Sequence, residues 1–112
     1  MGLRIRFEKE ELIKALNHYL KIKPIVIDKG HLNGSIESIL RFIPGITFDP
    51  GLRFEEIDFY FDGYFVKQSS DPTKYHVDIE IYGGGNEKKE NQLKVEQKVA
   101  QEILKLIDQA NK

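Results

Sequence analysis

Cysteine is absent from the 112-residue chain, which excludes disulfide frameworks, thiolate zinc sites and cysteine nucleophiles. Long apolar runs are absent as well. Pro24-Ile25-Val26-Ile27 and Tyr64-Phe65-Val66 are representative, far short of the roughly 20 residues that a bilayer-spanning helix needs. The first residues, Met1-Gly2-Leu3-Arg4-Ile5-Arg6-Phe7, carry no secretory apolar stretch. Nor does charge of one sign dominate: seventeen basic and eighteen acidic side chains give a net charge of −1. Bulk attraction to nucleic acid or anionic lipid is therefore not expected. A chain of this length buries roughly two-thirds of its unfolded surface around one core. The expectation is one soluble, cytoplasmic domain over residues 1–112, with no membrane segment and no cofactor.

The near-zero total hides an asymmetry. Residues 1–53 hold nine Lys/Arg and six Asp/Glu, including all four arginines, Arg4, Arg6, Arg41 and Arg53. Residues 54–112 hold eight and twelve. Such a division points first to pairing between the two halves of a fold, and second to a site for a charged partner.

Leu3, Ile5 and Phe7 alternate with Arg4, Arg6 and Glu8, the period of a half-buried strand. Leu12, Leu16, Tyr19 and Leu20 then recur at helical spacing, with Glu8, Glu10 and Glu11 where a helix dipole favours acids. Pro24 stops that helix, and Ile25-Val26-Ile27 reads as a short buried strand. Residues 28–34 have the composition of a loop, after which Ser35 caps a helix with Ile36, Ile39, Leu40 and Ile43 on one face. Pro44-Gly45 ends it, and Asp49-Pro50-Gly51 makes a turn. Two alternating stretches, about 54–68 and 74–82, form a long antiparallel hairpin. Asp62-Gly63 would also suit a tight turn, but the apolar phase runs through Gly63 unchanged, which favours one continuous strand. Gly83-Gly84-Gly85 is a flexible break, and Val95, Val99, Ile103, Leu106 and Ile107 mark a long amphipathic helix over about 88–110. The fold class is α+β: a mostly antiparallel sheet with helices on one face.

If the odd positions of the hairpin face the helices, then Asp58, Tyr60, Asp62, Tyr64, His76, Asp78, Glu80 and Tyr82 share the other face. Asp62 then lies opposite Asp78 or Glu80, and like charges so placed repel unless something positive is near. Tyrosines there offer rigid amphipathic contact area. The set reads as a binding surface for a protein partner, basic in character, or for a second copy of the chain. Plainer readings are a solvated face, pairing of its acids with Arg4 and Arg6, or cover by the C-terminal helix.

Two other function classes have candidate residues. An enzyme dependent on metal or phosphate could use His76, Asp78 and Glu80, or the loop Gly30-His31-Leu32-Asn33-Gly34-Ser35 beside Asp28. That loop lacks the spacing and lysine of a P-loop. A nucleic-acid binder would use Arg4, Arg6, Lys21, Lys23 and Arg41, and a DNA mimic from a mobile element would use the acidic face. Acids flanking each tyrosine and the small net charge disfavour both.

Overall fold

The computed structural model describes residues 2–112. Leu3, Ile5 and Phe7 place their alternate side chains inward along β1 (Gly2–Glu8), which passes directly into α1 (Lys9–Leu20). Glu11 Oε1 accepts the Glu8 N–H at 2.8 Å, occupying a donor that the start of a helix leaves free. Lys21, in the left-handed region at φ +58°, closes the helix with its N–H on the Asn17 carbonyl.

The next segment departs from the sequence reading. Ile25-Val26-Ile27 belongs to no strand, and among the described residues none of the five strands of the sheet includes it. Only Ile27 enters the core, and Val26 is 88% exposed. Residues 28–34 are not a loop either. Asp28 accepts the His31 N–H at 3.1 Å and caps a single 3-10 turn, Lys29–His31, that leads straight into α2 (Leu32–Leu40). Ser35 therefore sits inside the helix and caps nothing. Burying Leu32 on the same face as Ile36, Ile39 and Leu40 outweighs the weak helix preference of Asn33 and Gly34.

Asp49-Pro50-Gly51 forms the expected bend, between two strands that the sequence did not announce, β2 (Ile46–Thr47) and β3 (Arg53–Phe54). The first arm of the hairpin begins at Ile57 rather than near 54, since Glu55 and Glu56 both adopt positive φ and turn the chain tightly from β3 into β4 (Ile57–Lys67). Arg53 Nη2 holds that turn by donating to the Glu56 carbonyl at 2.7 Å. β4 runs unbroken through Asp62-Gly63 and pairs with β5 (Tyr75–Gly83), setting Asp62 opposite Glu80. The sheet order is β1-β5-β4-β3-β2, every neighbouring pair antiparallel.

The three helices, the longest being α3 (Lys89–Ala110), cover one side of this sheet. Val77, Ile79 and Ile81 from β5 and Phe59 from β4 meet Leu12, Leu16, Ile36, Val99 and Ile103 in one buried cluster. The architecture is α+β with an antiparallel sheet. No helix among the described residues is long and apolar enough to cross a membrane.

The glycine run is a packing device before it is a break. Gly83 belongs to β5, and a Cβ there would fall 2.4 Å from Gln92 Cα. Its N–H donates to the buried carboxylate of Glu96 at 2.8 Å, which fastens the end of β5 to α3. Gly85, by contrast, has nothing within 4 Å of the same position. Gly83→Ala is expected to cost about 1–3 kcal/mol in urea denaturation, because helix backbone must move. Gly85→Ala should stay within about 0.5 kcal/mol of the parent. Equal losses would contradict this account of the α3 contact.

Candidate functional site

The helices leave the other side of the sheet open, and the predicted set lies on it. Register sorts the outward side chains into transverse rows over β1, β5 and β4. Gly2, Tyr82 and Tyr60 form one row, Arg4, Glu80 and Asp62 the next, and Arg6, Asp78 and Tyr64 the third. Glu8, His76 and Val66 make a fourth, and Asp58 lies at the other end, past the Tyr60 row, beside Arg53 of β3. All eight predicted residues therefore share one face. The alternative in which the C-terminal helix covers it is overturned, since α3 packs on the opposite side.

The face is not a loose array of acids. Arg6 grips Asp78 with two parallel hydrogen bonds, Nε to Oδ1 at 2.6 Å and Nη2 to Oδ2 at 2.9 Å. Arg4 stands 3.9 Å from Asp78 and 4.0 Å from Glu80. Glu80 accepts the Tyr64 hydroxyl at 2.7 Å and, on its other oxygen, the Tyr82 hydroxyl. Arg53 Nε lies 3.0 Å from Asp58. The asymmetry between the halves of the chain thus resolves largely as internal pairing. Asp62 is the exception. Its one hydrogen-bond partner among the described residues is Asn33 Nδ2, at the outer limit of 3.5 Å.

These contacts fix the protonation states. The Arg6 hydrogen bonds hold the Asp78 carboxyl below the usual carboxylate range despite a burial that leaves its side chain 1% exposed. Hydrogen bonds from Tyr82 and Tyr64 likewise lower Glu80. The same carboxylate raises Tyr64 and pushes Tyr82 up to about 12, chiefly because each hydroxyl donates its proton to Glu80 in a hydrogen bond that ionisation would break, with burial and the nearby negative charge adding to it. Both tyrosines remain neutral donors at physiological pH and cannot serve as bases.

Above this network two rings stack. Tyr60 and Tyr82 lie 4.9 Å apart at an interplanar angle of 16°, and Tyr60 is 55% exposed. Tyr82 reaches this position over Gly2, where a Cβ would fall 2.6 Å from the ring.

The chain matches no family model, no curated protein and no solved structure. Function must therefore be read from the chemistry of the face.

Among the described residues no group of three His, Asp or Glu side chains is placed to hold a metal. Asp78 and Glu80 are already engaged by Arg6 and the tyrosines, and the buried His76 Nδ1 has no partner. The Asp28, His31 and Ser35 set comes together only in part. His31 Nδ1 turns to Asp28 Oδ1 at 2.6 Å, while Ser35 is a turn further along α2 with no hydrogen bond to His31. The imidazole lowers Asp28, an exposed pair at the foot of a helix.

Alternation in β1 was the signal for Arg4 and Arg6. Gly2, Asn33 and Arg53 carried none, because their roles depend on strands and helices far away in sequence.

Two measurements test this site. Asp78 is lowered in the fold, so its pairing contributes above about pH 4 and is lost as pH falls through its folded value. At pH 7 Arg6→Met should cost about 2–4 kcal/mol in urea denaturation, since it strands a buried carboxylate. Asp78→Asn should cost less, about 1–2 kcal/mol, because the half-exposed guanidinium can rehydrate. The Arg6→Met deficit should shrink in acid; an unchanged deficit would refute the pairing argument. Tyr64 and Tyr82 contribute in the opposite sense, their stabilisation present below about pH 10 and lost as pH rises through their folded values. Glu80→Gln should move the late phenolate absorbance change down towards that value, and a titration identical to the parent's would contradict the assignment.

Proposed function

We propose that the protein is a non-catalytic association module whose working surface is the open sheet face, and that its occupant is a second copy of the chain. The observation that carries this is the row Arg4, Glu80, Asp62, which runs from positive to negative across the face. β5 is the middle strand of the three. A two-fold axis along β5, between two sheets packed face to face, lays β1 of one copy over β4 of the other. Each row then meets itself. Arg4, with a side chain 58% exposed, comes over Asp62, the one acid on the face without a close partner, and the contact occurs twice. Arg6 comes over Tyr64, where a guanidinium can stack on a ring. Tyr60 supplies exposed aromatic area at the end of the patch.

A merely basic partner fits less well, because Asp58, Asp78 and Glu80 already have positive groups or hydroxyl donors. Catalysis has no support here either: the tyrosines are held protonated and the carboxylates are engaged.

Charge reversal distinguishes this dimer from others. Asp62→Arg and Arg4→Glu should each weaken self-association by about tenfold or more, measured by sedimentation equilibrium. Mixing the two variants should restore it, since both contacts between positions 4 and 62 in the mixed dimer are again between opposite charges. Tyr60→Ser should weaken it without changing the fold. A monomeric parent at high micromolar concentration, or a mixture no tighter than its components, would overturn the proposal.

A further inference from the structure

A second site lies at the edge of β4 rather than on its face, and it is independent of the association just proposed. β3 pairs with β4 only at Ile57 and Asp58. Beyond that point no strand among the described residues flanks β4 on this side. Backbone parity says which groups are left over. Even residues bond to β5: the Asp58 carbonyl accepts the Gly84 N–H at 2.8 Å, and the Gln68 N–H donates to Lys74 at 3.0 Å. Odd residues point the other way, as the Phe59 N–H on Leu52 and the Gly63 N–H on Asn33 Oδ1 demonstrate. Phe65 and Lys67 share that direction, and no group among the described residues meets their N–H.

A cleft of about 620 Å³ opens at this place. Tyr64 and Phe65 both border it, although their side chains belong to opposite faces, so the cleft lies along the strand's edge. Its inner floor is Phe65 and Tyr75, edge to face at 6.0 Å. Exposed Val26 and buried Ile27, from the segment that joins no strand, also line the cleft. The Lys9 ammonium hangs 5.3 Å from the Phe65 ring, Lys29 stands at the rim, and the acid there, Asp28, is turned to His31.

We infer that this cleft takes an extended peptide, added as a strand to the free edge of β4 at Phe65 and Lys67 and carrying a carboxylate towards Lys9 and Lys29. Backbone bonds supply the affinity in this mode, and alternate side chains the selectivity. Inward-facing apolar residues of the peptide meet Phe65, Tyr75 and Val26.

The test uses the full chain, labelled with ¹⁵N, and acetylated, amidated heptapeptides of alternating valine and glutamate. A valine–lysine series and a backbone N-methylated valine–glutamate series serve as controls. The glutamate peptide should saturate at millimolar concentration or below, and slow hydrogen exchange at Phe65 and Lys67 by about tenfold. Tyr64 and Val66, already bonded to β5, should change little. The lysine peptide, or a Lys9→Ala/Lys29→Ala chain, should bind about tenfold more weakly, and N-methylation should abolish protection. No saturation, saturation without protection at Phe65 and Lys67, or equal binding of the lysine series would each overturn the inference.

Discussion

A carboxylate that water scarcely reaches sits in the middle of an open sheet face, and Arg6 makes that tolerable. Asp78 is covered not by a helix but by the guanidiniums and rings around it, so its desolvation is offset only while Arg6 stands opposite in β1. This contact selects the register of β1. A slip of one residue would send Arg6 into the core and Ile5 outward, exchanging a two-pronged hydrogen bond for an uncompensated buried charge. The same strand that completes the apolar underside with Ile5 and Phe7 therefore completes the polar upper side with Arg4 and Arg6. Packing and electrostatics impose one register from two sides, which is the consistency expected of a sequence with a single preferred fold.

Hydrogen bonds order the rest of the face around that pair. Glu80 draws in Tyr64 and Tyr82, Tyr82 lies across Gly2, and Tyr60 stacks on it. Rings held in this way lose little freedom on contact with another surface, and that favours association. The polarity of the rows matters as much as their rigidity. With arginines confined to β1 and the uncommitted Asp62 on β4, the face is complementary to its own rotated image.

The strands and long helix were legible where periodicity was sustained. Alternation from Ile57 to Phe65 and from Tyr75 to Ile81 carried the hairpin through Gly63, and α3 began within a residue of its expected start. The eight site residues were legible as one face because parity alone decides it. Local composition misled where tertiary contacts won. Asn33 and Gly34 look like loop residues, yet Leu32 needed a helix to reach the core, and Asn33 faced the β4 edge at Gly63. Glu55 and Glu56 gave no turn signal, because glutamate seldom takes positive φ and only Arg53 and strand pairing hold it there. Ile25-Val26-Ile27 has the composition of a strand, but among the described residues it pairs with none.

That missing neighbour connects the segment to the treatment of the sheet's edges. Exposed edges invite pairing with other chains, and this fold blunts them one by one. Along β1 the outward backbone groups are flanked by Arg4 and Arg6, and the Glu8 N–H is taken by Glu11. On β4 the Phe59 N–H is taken by Leu52 and the Gly63 N–H by Asn33. The sequence stops short at Phe65 and Lys67. There the edge borders a cleft that the β-branched residues Val26 and Ile27 also line. An edge taken up at Phe59 and Gly63 and left open at Phe65 and Lys67 beside apolar side chains and two lysines has the features of a strand-binding slot, with the charge at its rim restricting what can enter.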